Sequence, residues 1–227
     1  MGIIVLLVII IVLNKYYTKK KFDNSMYGDV SGNTLKNTIH DKGNYGEYLT
    51  FLELEKLQGN NKILSNLYVP RADGSTTEID LVMINTTGVY VFESKNYSGW
   101  IFGNEKDRYW TQTLQGGQKN KLYNPIWQNQ GHINALKRAI KDVDNVCFYS
   151  YIIFSDRCQL KQIKVTTPHI HILHRRELLN RMKTDSYANL NVLSDEDIYI
   201  IYYELLKYCR VNDTVKDEHI ERIRMRR

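Results

Sequence analysis

A mixed central β-sheet packed with helices, of the α/β or α+β class, is what this 227-residue chain predicts. Three observations carry the prediction. Consecutive strand-like runs occupy KILSNLYVP (62–70), TTEIDLVMIN (76–85) and GVYVFESKN (88–96). Helical apolar spacing precedes them and returns after Asn124. The resulting order, α-β-β-β-(ββ)-α-β-β-α-α, intermixes the two kinds of element without any internal repeat. A content of 43% hydrophobic and 25% charged residues is that of a folded domain.

The chain opens on an apolar run ending at Leu13, followed by Asn14, Lys15, Tyr16, Tyr17 and a lysine triplet. That run is short for a span, which needs roughly 17–25 residues. Extended through Tyr17, with Lys15 snorkelling, residues 1–17 are expected as an uncleaved, single-pass transmembrane helix. No basic segment precedes the run and no small-residue cleavage site follows it, which argues against a signal peptide. The lysines place the remainder on the cytoplasmic side of the cell membrane. Three cysteines without a Cys-x-x-Cys pair agree with a reducing compartment. Residues 18–43 are polar, lack sustained periodicity and read as a tether.

From Asn44 the pattern NYGEYLTFLELEKL offers Tyr45, Tyr48, Leu49, Phe51, Leu52 and Leu57 for burial and predicts a helix. Pro70 ends the first strand. WIFGN (100–104) and YWTQT (109–113) read as short strands. Asn124-Pro125 starts a helix running to about Lys141, with Asn as cap and Pro at the first helical position. CFYSYIIFS (147–155) is a buried strand and HIHIL (169–173) a weaker one. Two helices follow, the second opened by Ser194 with Asp195 and Glu196 in its first turn. Residues 44–155 thus form the core, and 156–227 complete the same domain.

Charges stand at the ends of the second and third strands: Asp80, and the triplet Glu93-Ser94-Lys95. Glu93 and Lys95, two apart, share a strand face. A two-residue hairpin loop pairs Asn85 with Gly88 and sets Asp80 across from Glu93. A three-residue loop, Thr86-Thr87-Gly88, sets Asp80 across from Ser94 on the other face. Thr-Thr suits a primed turn poorly and favours the longer loop, so a shared site needs the shorter loop or a second bulge.

Plainer readings stand beside these. Glu47, three residues after Asn44, can close a capping box. Glu93 and Lys95 can be an exposed pair, and Gln128 a helix-surface residue. His169, His171 and His174 lack acids or cysteines at zinc spacing and read as an exposed strand. Trp100, Tyr109, Trp110 and Trp127 suit core packing, with stacking on nucleic-acid bases as the alternative. The net charge is +6, but residues 1–21 carry four lysines and no acid, leaving the rest near +2. No broad phosphate-binding face is implied. The C-terminal ERIRMRR is a second basic cluster.

Gly46-Glu47, Glu78-Ile79-Asp80, Glu93-Ser94-Lys95 and Asn124-Pro125-Ile126-Trp127-Gln128 together resemble the nuclease-related domain (NERD) family of the PD-(D/E)xK nuclease-like superfamily. The resemblance covers about residues 41–155. It implies a restriction-endonuclease-like core and metal-dependent hydrolysis of nucleic-acid phosphodiesters, with DNA favoured over RNA. By the same resemblance Asp80, Glu93 and the Ser94 carbonyl hold Mg²⁺ or Mn²⁺, and Lys95 positions the attacking water. Glu47 completes the metal shell or holds a second ion, and Gln128 orients Lys95 or the water. A homodimer is one arrangement such nucleases use. The other reading is a catalytically silent domain that binds nucleic acid or a protein at the membrane.

Overall fold

The computed structural model describes residues 1–225; Arg226 and Arg227 of the basic C-terminal cluster lie outside them. Helices α1 (Gly2–Asp23), α2 (Tyr27–Ser31), α3 (Leu35–His40) and α4 (Lys42–Leu54) precede strands β1 (Lys62–Pro70), β2 (Thr76–Asn85) and β3 (Gly88–Lys95). Strands β4 (Gly99–Asn104), β5 (Tyr109–Thr113) and β6 (Lys119–Tyr123) lead into α5 (Pro125–Ala139). Then come β7 (Phe148–Phe154), β8 (Cys158–Lys164), β9 (Ile170–His174), α6 (Arg175–Ala188), α7 (Asp195–Leu206) and α8 (Asp213–Met225).

Two mixed sheets result, where the sequence implied one. The larger has five strands in the order β1-β2-β3-β7-β9; the smaller has four, β6-β5-β4-β8. Strands β1, β2 and β3 run antiparallel in succession, and β3-β7-β9 are parallel. Strands β6 and β8 were not anticipated. Their exposed, lysine-bearing sequences KNKLY and CQLKQIK have little apolar content to announce them.

The five-stranded sheet is covered on both faces. Val82, Ile84, Val89 and Val91 pack against Ile133 and Leu136 of α5 and Ile198, Ile201 and Leu205 of α7. Leu81, Met83, Tyr90 and Phe92 pack on the opposite side against Tyr48 and Phe51 of α4 and Leu178 and Met182 of α6. The alternation along β3 is that of a strand buried on both faces. A third cluster, with Ile101, Trp110, Ile152 and Phe154, joins the two sheets.

The N-terminal segment departs most from expectation. No helix among the described residues is long and apolar enough to cross a membrane. The run from Ile3 to Leu13 supplies only about 16 Å at ~1.5 Å per residue, and α1 continues through Lys15 and a lysine triplet to Asp23. Nor are residues 18–43 an unstructured tether. Phe22 and Tyr27 pack against Tyr48, and Tyr27 is fully buried. Ser25 donates to Glu55 at 2.7 Å, and the Met26 N–H donates to the same carboxylate. Helix α4 also starts earlier than Asn44: Asp41 is its cap, accepting from the Asn44 N–H at 2.8 Å. Glu47 therefore sits beyond the first turn and closes no capping box.

The β2–β3 hairpin takes the two-residue loop. Asn85 pairs with Gly88, and the register continues to Leu81 opposite Phe92. Instead of a primed turn, the Asn85 side chain organises the loop by accepting from both the Thr87 N–H and its hydroxyl. Gly88, at φ +139°, lets β3 approach β7: a Cβ there would stand 2.5 Å from the Cys147 carbonyl oxygen. Gly88→Ala is expected to destabilise the domain by about 1–3 kcal/mol through strain and overpacking. Its urea midpoint should fall while the slope stays constant; an unchanged midpoint contradicts this role.

Candidate active site

Two strand irregularities build the site. The β1–β2 ladder pairs Ser65 with Leu81 and Leu67 with Ile79, skipping Asn66 and Asp80 between them. Asn66 lies in the left-handed region at φ +55°. Ile79 and Val82, three apart, consequently join the same core cluster, so β2 changes the face it presents at Asp80. The β2–β3 ladder also stops one pair short of Asp80 and Glu93. Freed from both ladders, the Asp80 carboxylate accepts the Ser94 backbone N–H at 2.7 Å. The shorter loop and a strand irregularity are thus both present.

Glu93 and Lys95 project toward α5, as their spacing predicts. Lys95 Nζ donates to Glu93 Oε1 at 2.5 Å and to Gln128 Oε1 at 3.1 Å. His132 Nε2 lies 2.9 Å from Glu93 Oε2. Glu93 is 1% exposed, which excludes the exposed-pair reading. Gln128 is likewise engaged rather than a plain surface residue. Ser94 points to the other face, where its hydroxyl donates to Thr50 Oγ1 on α4 at 3.1 Å.

Helix α5 is fixed in register by buried amides. Asn124 accepts the Ile126 N–H and donates to the carbonyls of Asn104, Glu105 and Asp107. Asn129 donates to the Val91 carbonyl and to Ser150 Oγ, bolting the helix to β3 and β7. Those anchors present Gln128 and His132 to the strand end. Behind His132, Thr77 Oγ1 lies 2.9 Å from Nδ1 and accepts from Arg71 at 2.7 Å. With Thr77 donating to Nδ1, His132 carries its proton on Nε2 and donates it to Glu93. His132, Thr77 and Arg71 were missed from the sequence. The signal was present for His132, one helical turn after Gln128 on the same face.

The electrostatics divide the acids. Burial would raise Glu93, but Lys95 and His132 outweigh it and hold the carboxyl below its ordinary range. Burial followed by the Glu93 and Glu47 charges lifts Asp80 well above its own. Glu47 is pushed up to about 8, first by burial, then by Glu78 and Glu93. Burial alone would lower Lys95, but Glu93 beside it raises it above the usual lysine value.

Oxygen donors of this kind suit a hard divalent cation. Glu47 Oε2 is a buried oxygen without a hydrogen-bond partner among the described residues, and burial together with the Glu93 charge lifts both Asp80 and Glu47, a charge density that a cation would relieve. In this arrangement, however, no three His, Cys, Asp or Glu side chains among the described residues converge as a metal-binding group. Both Glu93 oxygens are turned to Lys95 and His132. The donor chemistry fits a divalent cation, and the closed ligand shell does not exist here. The three histidines of the β9 region make no cluster: His169 and His171 pack on Tyr149 and Tyr151, and His174 bonds the Cys158 carbonyl.

Residues 42–155 match the family model described as nuclease-related domain. The chain belongs to this family. It is also 33% identical, over 181 residues, to an uncharacterized protein of Bacillus anthracis, an alignment covering 79% of this chain and 82% of that one. No solved structure matches. The boundaries of the NERD match enclose α4 through β7, the segment carrying every site residue predicted from the sequence.

Glu47 makes the folded state sensitive to pH. Its folded value, about 8, lies above the ordinary 4.5, so its contribution to stability is full below about 4.5 and is lost as pH rises through about 8. Melting temperatures from about pH 5 to about pH 9 should therefore fall more steeply for the wild type than for Glu47→Gln. Equal slopes contradict the assignment.

Proposed function

We propose that this NERD protein is a metal-dependent nuclease that hydrolyses phosphodiester bonds of nucleic acid, DNA in particular. The observation that carries this reading is the meeting of Asp80, Glu93, Lys95 and Gln128 at one strand end, with Glu47 facing them from α4. Asp80, Glu93 and Glu47 would hold Mg²⁺ or Mn²⁺, with the Ser94 carbonyl as a further oxygen donor. The cation supplies an acidified water and charge neutralisation at the phosphate.

The chain's own residues do the rest. Lys95, held charged between Glu93 and Gln128, is a fixed cation for orienting the attacking water and stabilising negative charge on the phosphoryl oxygens. His132 keeps Glu93 ionised and in a single orientation. For Glu93 to hold the cation, Lys95 or His132 would have to give up its Glu93 oxygen.

A polynucleotide substrate is supported by the smaller sheet. Of the four aromatics expected in the core only Trp110 is buried; Trp100, Tyr109 and Trp127 remain 40–49% exposed. Lys161 lies over the Trp100 ring, and Arg108 and Lys121 over Tyr109. Exposed rings interleaved with cations match the stacking and phosphate contacts of a single strand. Trp127 directly precedes Gln128, which connects that surface to the reaction centre.

At the other end, α1 leaves Ile4 to Leu13 exposed above a lysine-rich segment. Such a helix is suited to bury its apolar end in lipid while its lysines meet the headgroups, which supports a membrane-surface location. The silent-domain alternative is favoured by one observation, the commitment of both Glu93 oxygens to Lys95 and His132.

Asp80→Asn separates the two. Cleavage of an oligonucleotide in Mg²⁺ should drop by at least about 100-fold, with the melting temperature kept or raised because a repelled carboxylate is gone. Equal cleavage by variant and wild type overturns the proposal. Absence of cleavage by either, with binding retained, supports the silent domain.

A further inference from the structure

A cavity of about 350 Å³ lies behind the strand end, beyond Asn96. Arg175, the first residue of α6, lines it. This arginine is only 7% exposed, forms no ion pair among the described residues, and its buried Nη2 has no hydrogen-bond partner. Among the described residues its guanidinium makes one hydrogen bond, a long one from Nε to Thr50 Oγ1 at 3.4 Å. A buried unpaired guanidinium is costly and ordinarily satisfied, because five donors must find acceptors. An anion would satisfy such a donor.

The surroundings agree. Arg157 and Lys42 line the same cavity, and Arg157 is braced by the Asn96 carbonyl and side-chain oxygen at 3.1 and 2.9 Å. Two carboxylates also line it, both already engaged: Asp41 caps α4, and Asp156 accepts the Arg176 N–H and pairs with its guanidinium. The first turns of α4 and α6 both border the cavity, adding the positive ends of two helices. Tyr45 and Leu49 form an apolar wall.

The cavity is coupled to the reaction centre. Thr50 Oγ1 takes the Ser94 hydroxyl as well as Arg175 Nε. Lys95 stands between Ser94 and the cavity residue Asn96, and Gly46, packed on Asn96, precedes Glu47.

We infer that this cavity binds a phosphate of the nucleic-acid strand other than the one being cut, held by Arg175 with Arg157 and Lys42 while the adjoining nucleoside rests on Tyr45 and Leu49. The choice of nucleic acid as the phosphate's source rests on the nuclease reading; the demand for an anion does not.

The test is calorimetric titration of the full chain with EDTA present, using 5′-phosphorylated dithymidine, unphosphorylated dithymidine and inorganic phosphate. Arg175→Met and Arg157→Ala serve as variants. The phosphorylated dinucleotide should bind, and each variant should weaken it by about tenfold or more, the scale of a lost charge-assisted hydrogen bond. Arg175→Met should melt no lower than wild type, since it removes an unpaired buried charge; a merely structural arginine would lower melting. Preference for the phosphorylated over the unphosphorylated dinucleotide assigns a terminal phosphate, and equal binding of both assigns an internal one. Binding unaffected by either variant, or no binding at all, overturns the inference. Inorganic phosphate binding as tightly as the dinucleotides overturns the nucleic-acid assignment. Cleavage in Mg²⁺ is measured in parallel. Variant-sensitive dinucleotide binding without cleavage leaves the cavity assigned and removes the nuclease reading; cleavage without such binding does the reverse.

Discussion

The buried carboxylate of Glu93 is the constraint around which the domain is arranged. An isolated ionised carboxylate at this depth costs several kcal/mol, and proteins tolerate one only where charge and hydrogen bonds surround it. Lys95 and His132 supply both, one to each oxygen. Neither partner stands alone. Lys95 needs Gln128, and His132 needs Thr77, which itself leans on Arg71. A single acid in the third strand therefore dictates what faces it from α5 and from β2. The buried Asn129 then has a clear purpose, since a helix free to slide by one turn would lose both contacts.

Asp80 follows the opposite logic. Among the described residues it has no cation in direct contact and accepts only the Ser94 N–H, available because β2 leaves both ladders at that residue. Glu47, on α4, adds charge of the same sign. One carboxylate is stabilised in its ionised form while two are held above their normal range. That asymmetry sets the ion-paired Glu93 apart from the repelled acids Asp80 and Glu47.

Much of this was legible in the chain. The limits of β1 and β2 and the start of α5 were fixed by local chemistry: Pro70, the Asn85 turn and the Asn124-Pro125 cap. Glu93 and Lys95 shared a face because strand geometry requires it. What could not be read was relational. Thr86-Thr87 looks unsuited to a two-residue loop until Asn85 is seen to bond the Thr87 N–H and hydroxyl. The irregularity at Asn66 and Asp80 arises from pairing between strands, which no single-strand pattern displays. Residues 18–43 looked like a tether because their few apolar groups, Phe22 and Tyr27 among them, lack periodicity; they are recruited singly by α4. Trp100, Tyr109 and Trp127 were assigned to the core by size, whereas the second sheet and the start of α5 leave them in solvent.

Titration of Mn²⁺ into the full chain by electron paramagnetic resonance, with an uncleavable phosphorothioate oligonucleotide present, decides whether these acids form one cation site. The wild type should bind Mn²⁺, and both Asp80→Asn and Glu93→Gln should lose that binding while the fold persists. Mn²⁺ that stays free even with the oligonucleotide bound, or binding that survives both substitutions, would contradict a single cation site.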